Sequence, residues 1–150
     1  MRDICYWQQI YKKILFISFY IVILQGNQWK EEMKKILVAE DTESNYLLLS
    51  IILRKEYEVY RAHDGQEAIE KFESCRPDMI LMDIKMPVMD GLEATRRIRL
   101  KGGTLPIIAL TANAYDSDRD KAFEAGCDDY MAKPIMAPAL REMIEKYFGE

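Results

Sequence analysis

"DMILMDIKMPVMDGLEA", Asp78 to Ala94, decides the fold. Met79–Asp83 is an unbroken apolar run of strand length that finishes on a carboxylate. Continuous rather than alternating apolar residues mark a strand covered on both faces, as in a parallel sheet. Met86-Pro87 and Asp90-Gly91 then mark a sharp turn. Asp90 and Glu93 predict a capping box that opens a helix through Leu92, Ala94 and Ile98. A covered strand, a loop and a capped helix make half of a βαβ unit, with an acid at the carboxyl end of the strand.

The rest of the chain repeats the unit. "KILVAED" (35–41) and "PIIALTA" (106–112) are further continuous runs. "YEVYRA" (57–62) alternates and "DYMAK" (129–133) is short and mixed, which predicts edge strands. Asp64 and Glu67 predict a second capping box before Ala68, Ile69 and Phe72. Helices are also expected over Asn45 to Lys55, from near Ser117 to a C′ glycine at Gly126, and over Pro138 to Phe148. The order βαβαβαβαβα implies an α/β, doubly wound five-stranded parallel sheet, order 2-1-3-4-5, with helices on both faces, flavodoxin-like. Its site is expected at the carboxyl ends of the strands, beside the switch point between strands one and three.

At those ends stand Glu40-Asp41, Asp83, Thr111 and Lys133-Pro134. Three converging carboxylates repel and raise one another's pKa unless something binds them. A hard divalent cation held by oxygens relieves the conflict, and Mg²⁺ with several waters suits an open site. An aspartate there can serve as nucleophile toward a phosphoryl group, with catalysis resting on positioning and electrostatics. Asp83 is therefore expected to be the phosphoacceptor, Glu40 and Asp41 to hold the metal with it, and Thr111 and Lys133 to hold the phosphoryl oxygens. The turn at Met86-Pro87 and Asp90-Gly91 is expected to keep a backbone carbonyl near the metal.

"LVAED", "LMDIKMPVMDG", "ALTANA" and "YMAKP" together resemble the receiver domains of two-component response regulators, over about Lys34 to Phe148. The wording is most similar to receivers attached to hybrid sensor histidine kinases. The resemblance implies Mg²⁺-dependent transfer from a phosphohistidine of a partner kinase or histidine phosphotransfer protein to Asp83. It implies the Lys85 backbone carbonyl as a metal ligand and a cis bond before Pro134. It also implies a switch in which Tyr130 turns inward as the Thr111 hydroxyl moves toward the phosphate. The output face would be the fourth helix, fifth strand and fifth helix, meeting a downstream protein or a second copy. Glu40 stands where the family more often has aspartate, and Lys85 and Asn113 stand where it tunes autodephosphorylation.

Rival readings fail on particular residues. A haloacid-dehalogenase-type phosphatase needs a second acid two residues after the nucleophile, where this chain has Lys85. A flavin-binding first loop offers backbone N–H groups to a phosphate, which "AEDTESN" would repel. A receiver that binds partners without phosphorylation would not need the complete set of acids, hydroxyl and lysine. The net charge of −4 argues against direct nucleic-acid binding. Cys5, Cys75 and Cys127 are scattered and His63 is the only histidine, which argues against zinc and for reduced thiols in the cytoplasm. His63 itself is expected at the surface.

Composition shifts once, dividing residues 1–32 from a receiver domain over 33–150. The run "ILFISFYIVIL" (14–24) has eleven residues, short of the ~20 that span a bilayer. "QGNQWKEE" offers no cleavage site for a signal peptide. Met33 before "KKILVAED" makes a natural domain start, so residues 1–32 are read first as an upstream-extended reading frame, with a hydrophobic tail second. No output module is expected after Glu150: the chain reads as a regulatory phosphoacceptor domain, stand-alone or cut from a hybrid kinase, rather than a turnover enzyme.

Overall fold

A computed structural model describes residues 33–112 and 116–149. Expectations for residues 1–32 and for Asn113 fall outside the described residues. Five strands, β1 (Lys35–Ala39), β2 (Glu58–Ala62), β3 (Met79–Asp83), β4 (Ile107–Thr111) and β5 (Asp129–Ala132), alternate with five helices. The helices are α1 (Glu43–Leu53), α2 (Gly65–Cys75), α3 (Gly91–Leu100), α4 (Asp116–Ala125) and α5 (Ala137–Phe148). The sheet is parallel, in the order β2-β1-β3-β4-β5, as the sequence predicts. β3 and β4 are buried at every residue, while the edge strands β2 and β5 are only partly so.

Period-2 alternation divides the core in two. Ile36, Val38, Met79, Leu81, Ile108 and Leu110 pack under Leu49 and Leu53 of α1 and Leu140 and Ile144 of α5. Leu37, Ala39, Ile80, Met82, Ile107 and Ala109 pack under α2, α3 and α4 through Ala68, Ile69, Ala94, Ile98 and Ala122. Burying each Leu, Ile or Met stabilises by roughly 1.5–3 kcal/mol, so the central strands anchor the fold. Met79 and Met82 lie in these layers, and Met86 and Met89 pack against the second from the loop.

Local signals behave unevenly. Asp64 caps α2 at the Glu67 N–H, 2.8 Å, but Glu67 accepts from the His63 N–H at 2.7 Å, one residue before the Asp64 N–H that a closed capping box uses. Asp90 caps α3 at the Glu93 N–H, 2.8 Å, but the box expected there does not close. The Glu93 carboxylate pairs with Arg97 at 2.8 Å instead, because an i,i+4 cation competes for it. Gly126 ends α4 at φ +104°, with Cys127 N–H to Ala122 C=O and Gly126 N–H to Phe123 C=O, a Schellman closure. α1 begins at Glu43, two residues before the expected Asn45, because Thr42 takes the extended N-cap conformation; it ends at Leu53 rather than Lys55.

Candidate functional site

β1 and β3 lie side by side with Ala39 opposite Met82, so the residues that follow leave the sheet at one end. β1 connects onward to β2 and β3 onward to β4, which makes this the switch point of the sheet. Glu40 and Asp41 come just after β1, and Asp83 is the last residue of β3. Carboxylate oxygens from Glu40, Asp41 and Asp83 lie within 4.8 Å of one another. Glu40 is 0% exposed and Asp83 5%, while Asp41 faces solvent.

Lys133, the first residue after β5, meets the acids from across the sheet. Its Nζ donates to Glu40 Oε2 at 2.6 Å and to Asp83 Oδ2 at 2.7 Å. Its backbone N–H donates to the Thr111 carbonyl at 2.7 Å, and its bond to Pro134 is cis. The second Glu40 oxygen accepts from the Thr42 N–H and from Asn45 Nδ2, each at 3.2 Å. Asp83 Oδ1 accepts from the Lys85 N–H at 3.1 Å, which sets Lys85 beside it. Thr111 is buried at the end of β4, one residue past the Leu110 that faces Asp83 in the register.

These contacts set the electrostatics. Burial pushes the Asp83 carboxyl above its ordinary value; Lys133 and the Lys85 N–H oppose this, and the Glu40 charge adds to it. Burial alone would lower the Lys133 ammonium, but its hydrogen bonds to Asp83 and Glu40 hold it above the usual lysine range. Three oxygen donors with one solvent-facing member fit a hard divalent cation that keeps some of its waters.

The loop after β3 is shaped by close backbone approach. The Gly91 N–H donates to the Ile84 carbonyl and the Gly65 N–H to the Met89 carbonyl, both at 3.0 Å, tying the starts of α3 and α2 to this loop. Val88 at its tip adopts φ +66°, a left-handed conformation that branched side chains disfavour.

Tyr130 lies on β5, half-buried, with its ring edge-on to Phe123 at 6.2 Å and under the Arg119 guanidinium at 5.5 Å. His63 is exposed at the end of β2. Two side chains that hold the acids escaped the sequence reading: Asn45, which reads only as a helix residue, and Arg61, which reads only as part of an alternating edge strand. Arg61 reaches the acids through the β1–β2 register, which pairs it with Val38. Among the described residues, no helix is long and apolar enough to cross a membrane.

The response regulator receiver domain family model matches residues 36–145. A hybrid signal transduction histidine kinase I of Dictyostelium discoideum is 44% identical over 131 residues, 78% of this chain and 8% of that protein. The chain thus spans a small fraction of this relative. The receiver domain of the Pseudomonas aeruginosa sensor histidine kinase PA1611, solved with a magnesium ion coordinated in its active-site cleft, superposes with a TM-score of 0.73. It is 41% identical, over 78% of this chain and 98% of that one. The Saccharomyces cerevisiae Ssk1 receiver domain, co-crystallised with the histidine phosphotransfer protein Ypd1, gives a TM-score of 0.72 at 32% identity, over 76% of this chain and 88% of that one. The chain belongs to the response regulator receiver domain family of two-component signalling.

Proposed function

We propose that residues 33–150 are a phosphoacceptor switch, taking a phosphoryl group from a phosphohistidine of a partner kinase or histidine phosphotransfer protein onto Asp83. The observation that carries this reading is the Lys133 ammonium set between two buried acids, 2.6 Å from Glu40 and 2.7 Å from Asp83. In the transfer, an Asp83 carboxylate oxygen forms a bond to phosphorus as the phosphorus–nitrogen bond of the donor breaks. The imidazole leaves with the electron pair and takes up a proton. The Lys85 N–H holds the Asp83 carboxylate in orientation. The Lys133 ammonium is in reach of the new phosphoryl oxygens, and the Thr111 hydroxyl serves the same group.

Glu40, Asp41 and Asp83, with the Lys85 carbonyl, would hold Mg²⁺, whose charge would offset that gathered on the transferring oxygens. Output is a protein contact: Tyr130 reports the state of Thr111 on the α4–β5–α5 face, to a downstream partner or a second copy, without direct nucleic-acid binding. The domain promotes its own phosphorylation and dephosphorylation, acts as a regulator rather than a turnover enzyme, and works in the cytoplasm. Residues 1–32 are outside this switch, as an upstream-extended frame or a hydrophobic tail.

The test is the intact mass of the chain after incubation with acetyl phosphate, with and without Mg²⁺. The expected result is one Mg²⁺-dependent phosphoryl adduct in the wild type and none in Asp83→Asn, which is nearly isosteric. An adduct on Asp83→Asn would sink the assignment. A folded wild-type chain that takes no phosphoryl group at all would favour a receiver that binds partners unmodified.

A further inference from the structure

Glu40 and Asp41 follow the last ladder residue of β1: the Glu40 N–H still donates to the Ala62 carbonyl of β2 at 3.0 Å, but among the described residues no backbone N–H reaches the carbonyls of Glu40 and Asp41. A side chain must hold these two carbonyls, because rotation beyond the Glu40 N–H would swing the carboxylates away from Asp83. The side chain in place to do so is Arg61, from the neighbouring edge strand. Its Nε donates to the Glu40 carbonyl at 3.4 Å and one terminal nitrogen to the Asp41 carbonyl at 3.3 Å. The other terminal nitrogen is paired with Glu43 in the first turn of α1. The guanidinium lies 4.4 Å from the centre of the Tyr46 ring, and only 13% of the side chain is exposed. Its own carbonyl accepts from Lys71, which is paired with Glu67 of α2 at 2.7 Å.

We infer that Arg61 is a positioning residue for cation binding: its planar fork holds the consecutive carbonyls of Glu40 and Asp41 and so aims both carboxylates at one point. The inference rests on the metal reading above and adds to it a residue outside the site. Geometry and charge here predict opposite signs. By charge alone, a cation beside a metal site weakens metal binding, so its removal would tighten it. As a clamp, its removal weakens binding, because a guanidinium presents several donors in a fixed plane that an ammonium cannot reproduce.

The experiment is calorimetric titration of Mg²⁺ into the full chain as wild type, Arg61→Met and Arg61→Lys. Thermal midpoints without metal show whether each variant is folded. Both variants are expected to bind Mg²⁺ about tenfold more weakly, the usual scale when a group supporting the ligands is removed. Acetyl phosphate labelling is expected to be slowed at low Mg²⁺ and restored when Mg²⁺ saturates. Unchanged or tighter binding in folded Arg61→Met overturns the inference while leaving the metal site standing. Should that variant not fold, wild-type affinity in Arg61→Lys overturns it equally, since charge is kept and the fork lost. A wild-type chain that binds no Mg²⁺ removes the metal reading and this inference together.

Discussion

Gly91 passes so close beneath Asp83 that a β-carbon on it would lie 2.0 Å from the Asp83 carbonyl oxygen and 2.8 Å from Met82 Cγ. The contact is with backbone, so it cannot be relieved by turning a side chain. It welds the start of α3 to the end of the strand that carries the candidate phosphoacceptor.

Gly91→Ala therefore forces strand and helix apart. The variant is expected to lose about 2 kcal/mol or more of stability, in the range of overpacked interiors. Urea unfolding of the two chains measures it. An unchanged midpoint would show that the loop shifts freely and that Asp83 is not held from below.

Lys133→Met leaves the fully buried Glu40 facing Asp83 with no cation between them. Removing one partner of a buried ion set strands the other charges, at a cost of about 2–3 kcal/mol for this partly open site. Added Mg²⁺ is expected to narrow the gap in thermal midpoint between variant and wild type. A gap indifferent to Mg²⁺ would argue that the acids do not share an ion.

Val88 is 88% exposed, so its φ of +66° is not repaid by packing. Asparagine tolerates this conformation better, and Val88→Asn is expected to gain about 1 kcal/mol. The check is denaturant unfolding, and a loss of stability would mean that the loop depends on the valine side chain.

Asp129 supplies a pH test away from the site. Burial works to raise its carboxyl, but Lys146 at 2.6 Å, the Tyr130 N–H and Tyr147 outweigh it and hold the group below 3.8. A carboxylate whose folded value is depressed contributes stability that is complete above its unfolded value and lost as pH falls through the folded one. Lys146→Met is expected to cut that contribution, so the wild-type advantage over the variant is present above about 3.8 and shrinks below it. The pair is at the surface, so added salt reduces the difference too. A constant advantage at all pH values would place its origin in packing of the lysine stem.

How much of this was legible in the sequence follows from the range of each interaction. β1, β3 and β4 are announced by unbroken apolar runs because burial on two faces leaves no polar register to maintain. Gly126 as a helix end and Asp64 as an N-cap act within four residues, and both behave as their patterns say. The Asp90–Glu93 box fails because Arg97, one turn on, offers Glu93 a charged partner that the short pattern does not weigh. Arg61 and Asn45 were invisible as site residues for a different reason. Their contacts depend on which strand lies beside β1 and on where α1 begins, and neither is written in the stretch that contains them. Thr111 could be singled out by its place at the end of a covered strand, whereas Tyr130 alone reads as ordinary packing and its pairing with Thr111 came only through resemblance to a family.

Lys133 reaches Glu40 across 93 residues of chain. A polypeptide that gathers three acids at one point would ordinarily need an ion from solution before it could close up. Here one compensating charge is covalently part of the molecule, arrives just after the last strand and meets two of the three acids, Glu40 and Asp83. Glu40 and Asp83 are thus paired with a charge of the chain's own once the sheet is complete.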